Sequence, residues 1–438
     1  MKTCTVAVFI ILLSACLQNR EVRLSGRVEG KDSVILVRLN DQEYRLRVDA
    51  NHSFSGNIPL QENAYAYAQF LPSRRRILLY LSPREHLEII MTSPTPLFAG
   101  SLATINSYLI EQGEYFPLDA AALSRDEETF VKGAEELCRV RTLLLEAKNL
   151  GREFTAIESK RIGYLTAEYA MRYAMFTRSR LPDAARQVYH LGPYLGDFLS
   201  RFPVDDEKLA DVNAFQQFVL AYYTFESETN EDIRSVMADV QERVKTQKTK
   251  DYLLSELASH HIFKQGLRDG SYLLSLCWRE VKDTSRIMRV ERVADRWRKL
   301  SAGTTAPDIT LRDASGADTR LQEMRGDYLY IVASDARADA WLKDSCSFRA
   351  IKARYAGKNI RFLFLAFEPT MTLEHWQSAS ERIPWEHFTI VNWRNFHASY
   401  IISAFPRYFL IDPRGRFVTA VAPPPTRAAE GLFANVGL

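Results

Sequence analysis

Five cysteines, Cys4, Cys16, Cys138, Cys277 and Cys346, supply the strongest nucleophiles of this 438-residue chain, and their spacing limits what they can do. Thiol-disulfide exchange needs two sulfurs in one place: a first thiolate attacks a substrate disulfide, and a second resolves the mixed disulfide. No two cysteines here are spaced Cys-x-x-Cys, and none has a zinc-ligand neighbour. Cys346 must therefore be read alone. A reactive lone thiol needs an exposed, electropositive setting, towards which Lys343 and Arg349 contribute; a buried helical thiol is inert, and that is the expectation for Cys346. Adjacent His260 and His261 would point about 100° apart on a helix. His375, His387 and His397 lack a Glu or Cys at ligand spacing. There is no Gly-rich phosphate loop, Gly-x-Ser-x-Gly or His-Glu-x-x-His, so neither metal nor cofactor is indicated.

Cys16 stands apart from the others by its surroundings. Lys2 gives a positive start, residues 6–13 form a short apolar run, and Ser14 and Ala15 are small, the plan of a secretory signal over residues 1–15. The run is shorter than the ~20 apolar residues that span a bilayer. Leu13, Ser14, Ala15 and Cys16 resemble the bacterial lipobox, which implies cleavage before Cys16, acyl chains (palmitate among them) on that cysteine, and anchoring to a membrane. Leu17 is not the Asp that the enterobacterial sorting rule associates with inner-membrane retention, and 17–20 carries no carboxylate. By that analogy the protein belongs to the bacterial cell envelope, on the outer membrane facing the periplasm. Processing would leave Cys138, Cys277 and Cys346, which no pairing satisfies completely; buried free thiols are expected.

Composition excludes other classes. Apolar residues are 46% of the chain and charged residues 25%, the balance of an ordinary globular protein. A net charge of +3 without basic blocks argues against a nucleic-acid partner.

The elements that must position these residues fall into three stretches, as the length leads one to expect. Residues 16–100 alternate with period two (Val22/Leu24, Val34/Leu36, Tyr44/Leu46/Val48), with turn residues at Asn40, Asp41, Asp49 and Asn51, which predicts a small antiparallel β-sandwich. Residues 101–300 switch to helical spacing: Leu165, Tyr169, Tyr173 and Phe176 make one apolar stripe, Phe215, Val219, Tyr222 and Tyr223 another. The small-residue segment 301–307 then opens a final domain, 303–438. There the pattern predicts strands at 308–311, 328–333, 360–367, 408–411 and 417–421, with helices near 339–356 and 372–380, a mixed sheet. Trp376, Trp385 and Trp393 cluster near its second helix, as core or as an interaction patch. The fold class is thus multidomain α+β.

The run 303–311, the segment 321–326, the strand 328–333, Phe405–Pro406 and the strand-turn 408–415 together resemble a thioredoxin-like domain of the TlpA and ResA envelope type. The stretch 16–100 is similar in pattern to the β-sandwich that precedes such domains. The resemblance implies an α/β thioredoxin-like fold with a Cys-x-x-Cys at a helix N-terminus, where the dipole stabilises the first thiolate. Counting back from 354–360 places those two positions at Ala338 and Trp341, and the motif is degenerate. It implies further that Pro406 is the cis-proline beside the peptide groove. The expected function is binding of an envelope protein or peptide partner, without turnover. The alternative is thiol-disulfide oxidoreductase or peroxidase-like activity in cell redox homeostasis through Cys346 alone.

Overall fold

The computed structural model describes residues 20–39, 42–92, 95–181, 185, 189–230, 232–335, 345–367 and 383–438. Signal residues 1–15, Cys16, the turn at Asn40 and Asp41, Ala338, Trp341, the helix expected at 372–380 and with it Trp376 lie outside them. By its contacts the chain divides into two units, Met1–Lys250 and Asp251–Leu438.

The first unit begins with eight strands: β1 (Glu21–Val28), β2 (Val34–Leu39), β3 (Gln42–Arg47), β4 (Ser53–Pro59), β5 (Ala64–Leu71), β6 (Arg76–Leu81), β7 (His86–Met91) and β8 (Leu97–Ala99). They form two sheets, β4-β1-β7-β8 and β3-β2-β5-β6. Val22 and Leu24 of β1, Ile35 and Val37 of β2, Phe70 of β5 and Ile89 of β7 all belong to one buried core. That shared core makes the two sheets a sandwich. It is not wholly antiparallel, as the hairpin signals led us to expect: β1 and β7 run parallel. The reason is topological, since β2, β3, β5 and β6 build the second sheet before the chain returns beside β1. Gly26 marks how closely β1 and β7 approach, for a Cβ there would meet the Ile89 carbonyl oxygen at 1.9 Å.

Helices follow, from Ala103–Gln112 to Asn213–Asn230 and Ile233–Arg243. Asn106 of the first sits on the edge strand β6: its Oδ1 accepts from Tyr80 N at 2.8 Å, and its Nδ2 donates to Tyr80 O at 3.0 Å. This side chain occupies backbone groups that an edge strand otherwise leaves open. The long helix Arg152–Ser179 packs through the expected stripe, with Leu165, Tyr169 and Tyr173 buried and Phe176 half-buried. Phe130, from the helix Glu127–Ala147, stacks on Tyr173 at 3.9 Å between ring centroids.

The boundary between units falls inside the helix Gln247–Gln265, so the helices Gly270–Glu280 and Thr284–Arg298 belong with the C-terminal sheet. Trp297 of the second lies 5.9 Å from the Arg407 guanidinium, and the flanking segments bond to the same sheet. Gly303 N donates to Phe417 O at 2.7 Å and Phe417 N to Thr304 O at 2.9 Å, while Arg407 donates to Lys264 O at 3.0 Å.

That sheet contains β9 (Thr310–Arg312), β10 (Asp318–Arg320), β11 (Tyr328–Asp335), β12 (Ile360–Phe367), β13 (Glu386–Ile390), β14 (Arg407–Ile411) and β15 (Phe417–Ala422), in the order β10-β9-β13-β12-β11-β14-β15. β11 pairs parallel with β12, antiparallel with β14, and β14 antiparallel with β15. The helix Ser345–Arg354 crosses from β11 to β12, and the helix Arg427–Ala434 closes the chain. Strand-helix-strand followed by strand-strand-helix, in the order β12-β11-β14-β15, is the thioredoxin-like arrangement. Its core joins Tyr330, Val332, Phe348, Phe362, Trp385 and Phe433, all buried.

Candidate functional site

A helix that carries the chain from the end of β11 to the start of parallel β12 must begin at the C-terminal end of β11. The helix Ser345–Arg354 lies on that connection, its first residue ten positions beyond Asp335 at the end of β11. Its core-facing side is fixed by Phe348 and Ile351, both buried. Cys346 precedes Phe348 by two residues, about 200° around the helix, and it is exposed. This corrects the expectation of a buried thiol. Cys138 is half-buried, and Cys277 alone is buried as expected.

Cys277 is unlike Cys346 in chemistry as well as place. It lies on the helix Gly270–Glu280 with its Sγ 3.8 Å from Leu254 O, and burial, reinforced by the Glu291 charge, pushes its pKa up to about 12. A thiol so held is neither an accessible nucleophile nor a resolving partner at neutral pH.

The other wall of this sheet end is the start of β14. Ala333 of β11 is registered against Arg407, which puts Pro406 one residue further, at the C-terminal end of β11. The Phe405–Pro406 peptide bond is cis. Ser334 beside it on β11 is fully buried. Sequence reasoning passed over the next residue, Arg407, because it starts β14 at Tyr408. Yet Arg407 is a buried cation: its Nη2 donates to Ser403 Oγ and its Nη1 to Lys264 O, and its guanidinium lies 5.9 Å from the Trp297 ring centroid. Burial lowers its pKa below the ordinary arginine value. A charge next to a proline at the head of an otherwise apolar strand was the signal available.

Trp385 is core: it packs against Phe348 at 4.7 Å and donates from Nε1 to Phe348 O at 3.0 Å. Trp393 begins the helix Trp393–Ser399 and is half-buried. Of the described histidines singled out above, His261 and His387 make structural contacts, and His397 is exposed. His387 Nε2 lies 2.8 Å from Ile383 O, and His261 Nε2 lies 3.5 Å from Asp269. Burial lowers both pKa values. Among the described residues, no group of three or more His, Cys, Asp or Glu is placed to hold a metal ion. Among the same residues, no helix is long and apolar enough to cross a membrane.

No protein-family model matches the chain, and no curated protein matches it. Solved structures do. The thioredoxin domain of a thiol-disulfide oxidoreductase from Bacteroides vulgatus is 20% identical, covering 31% of this chain and 98% of that one, with a TM-score of 0.29. A thiol:disulfide interchange protein from Bacteroides sp. is 23% identical, covering 28% and 81%, at 0.25. A thioredoxin-like protein from Bacteroides caccae is 15% identical, covering 61% and 92%, at 0.32. The thioredoxin-like fold of the second unit rests on its own strand order.

Proposed function

We propose that this chain is an envelope protein, lipid-anchored through Cys16 on the outer membrane and facing the periplasm, whose thioredoxin-like unit binds a protein or peptide partner without dithiol turnover. The observation that carries the reading is the thiol inventory of that unit. Its architecture needs two accessible sulfurs for exchange, and it offers Cys346, exposed, and Cys277, buried with its pKa pushed up to about 12. Ala338 and Trp341 stand where the resemblance expects the two cysteines. Insulin reduction with dithiothreitol as electron source tests the reading: the expected rate is that of dithiothreitol alone, and catalysis above it overturns the proposal. Palmitate labelling of the full chain in a bacterial host, lost in Cys16→Ser, tests the anchor.

A second reading is favoured by one observation, the exposure of Cys346. A single accessible thiol supports a mixed disulfide with a partner, or peroxide reduction with an external thiol. Under this reading Cys346→Ser abolishes the activity; unchanged activity in the variant excludes it.

A further inference from the structure

The helix Glu127–Ala147 carries two sets of apolar side chains. Phe130, Val131, Ala134 and Leu145 are buried and join it to the first unit. Around the helix from them, Leu137 is 40% exposed, Val140 40%, Leu143 49% and Leu144 45%. Leu137, Val140, Leu144 and Ala147 are all exposed and follow one another at spacings of three, four and three, with Gly133 four residues ahead. This is the a and d spacing of a helix seam, confined to about 80° of the circumference at 100° per residue. Single exposed apolar residues need no explanation, but four within one eight-residue run make a patch that does.

Shape and charge indicate what covers it. A lipid surface takes a broad apolar face edged with lysine and arginine. This stripe is narrow, and its helix holds five glutamates against three basic residues, so a second helix fits better. The charge is also unevenly spread. Residues 127–136 carry four glutamates and one lysine, whereas 137–148 carry Arg139, Arg141 and Lys148 against Glu146 alone. A helix acidic in its first half and basic in its second complements a reversed copy of itself, and the two macrodipoles then oppose. A parallel copy would set glutamate beside glutamate.

We infer that this stripe is the interface between two copies of the chain, packed antiparallel about a two-fold axis. With the axis between Leu137 and Val140, the two helices overlap along nearly their whole length and acidic halves lie on basic ones. Leu137 packs on Val140 of the second copy. Leu144 faces Gly133 of that copy, where only the exposed Arg125 side chain must turn aside. The next register, centred on Thr142, would leave the acidic halves unmatched and bring the two Arg141 side chains together. The interface lies in the first unit, and its test does not touch the reading of the thioredoxin-like unit.

The test is sedimentation equilibrium of the full chain in a detergent of matched density, so that the buoyant mass reports protein alone. The parent is expected to sediment as a dimer at micromolar concentration. Leu137→Glu and Val140→Lys each put two unpaired charges into the seam and should raise the dissociation constant at least about tenfold. Both positions are exposed, so the circular dichroism of each variant should match the parent. An equimolar mixture of the two variants should regain the dimer: the introduced carboxylate meets the introduced ammonium across the axis, while the other layer keeps leucine on valine. A parallel pair gains nothing from the mixture. A monomeric parent, variants that stay dimeric, or a mixture no more associated than either variant alone would each overturn the inference.

Discussion

At the scale of single residues, two pairs of side chains show how placement by the backbone decides chemistry. Cys346 and Cys277 are both helical thiols, but the first looks away from Phe348 and Ile351 while the second is sealed against Leu254. A thiol reagent such as dithionitrobenzoate should therefore label Cys346 in the native protein at once, and Cys277 only after denaturation; prompt labelling of Cys277 in native buffer contradicts its burial. The second pair is Glu158 and Arg161, one turn apart and both buried, joined by two bonds of 2.7 Å, with the Tyr65 hydroxyl donating to Glu158 at 2.5 Å. For Arg161, burial is the largest single effect and favours the neutral form, but the Glu158 charge and hydrogen bonds, with Tyr65 and Tyr67, together outweigh it and raise the pKa. Removing one partner strands the other charge in the interior. Glu158→Ala should cost about 3–5 kcal/mol in urea unfolding, the usual penalty for half of a buried pair. A loss under about 1 kcal/mol would mean that water reaches Arg161.

At the scale of elements, the edge of β6 shows how a helix start can finish a sheet. Asn106 replaces a neighbouring strand with one carboxamide, bonded both to Tyr80 N and to Tyr80 O. Asn106→Leu keeps the branched shape and loses these bonds, leaving two buried backbone groups unsatisfied, so a destabilisation of roughly 2–4 kcal/mol is expected by chemical denaturation. A variant as stable as the parent would show that solvent already serves that edge. The long apolar runs that became β11 and β12 were legible from the sequence, as were the helical stripes at 165–176 and 215–223, because burial on a fixed period leaves a repeating signature. β13 was not: Glu386–Ile390 opens on Glu and His and directly follows Pro384 and Trp385, so it reads as loop, and its pairing with β12 and β9 is what makes it a strand. The closing helix Arg427–Ala434 was likewise hidden behind three consecutive prolines, although Thr426 caps it through a bond to Ala428 N. The candidate site divides in the same way. Phe405–Pro406 was visible as a motif, whereas Arg407 became notable only through Lys264, a contact between residues 143 apart in sequence.

At the scale of the molecule, the division after Lys250 cuts a helix, so a boundary drawn from composition at the 301–307 segment and one drawn from contacts differ by about fifty residues. Composition records where the chain turns, and contacts record what shares a core. Two cores in one chain lead to a thermal unfolding that is not two-state, with a calorimetric enthalpy above the van't Hoff value. The two parts can be told apart by pH. His261 and His387 both lie in Asp251–Leu438, and burial holds both below the ordinary histidine value near 6.5. A group whose folded pKa is depressed binds its proton more readily when unfolded, so its stabilisation is complete above the unfolded pKa and is lost as pH falls towards the folded one. Lowering the pH from 8 to below 6.5 should therefore lower the melting temperature of the second unit. His387→Phe should reduce that slope, because one titrating group is gone. Glu158→Ala should move the other transition and leave the pH-sensitive one in place. A single transition, shifted equally by Glu158→Ala and by acid, would instead show that both cores unfold as one.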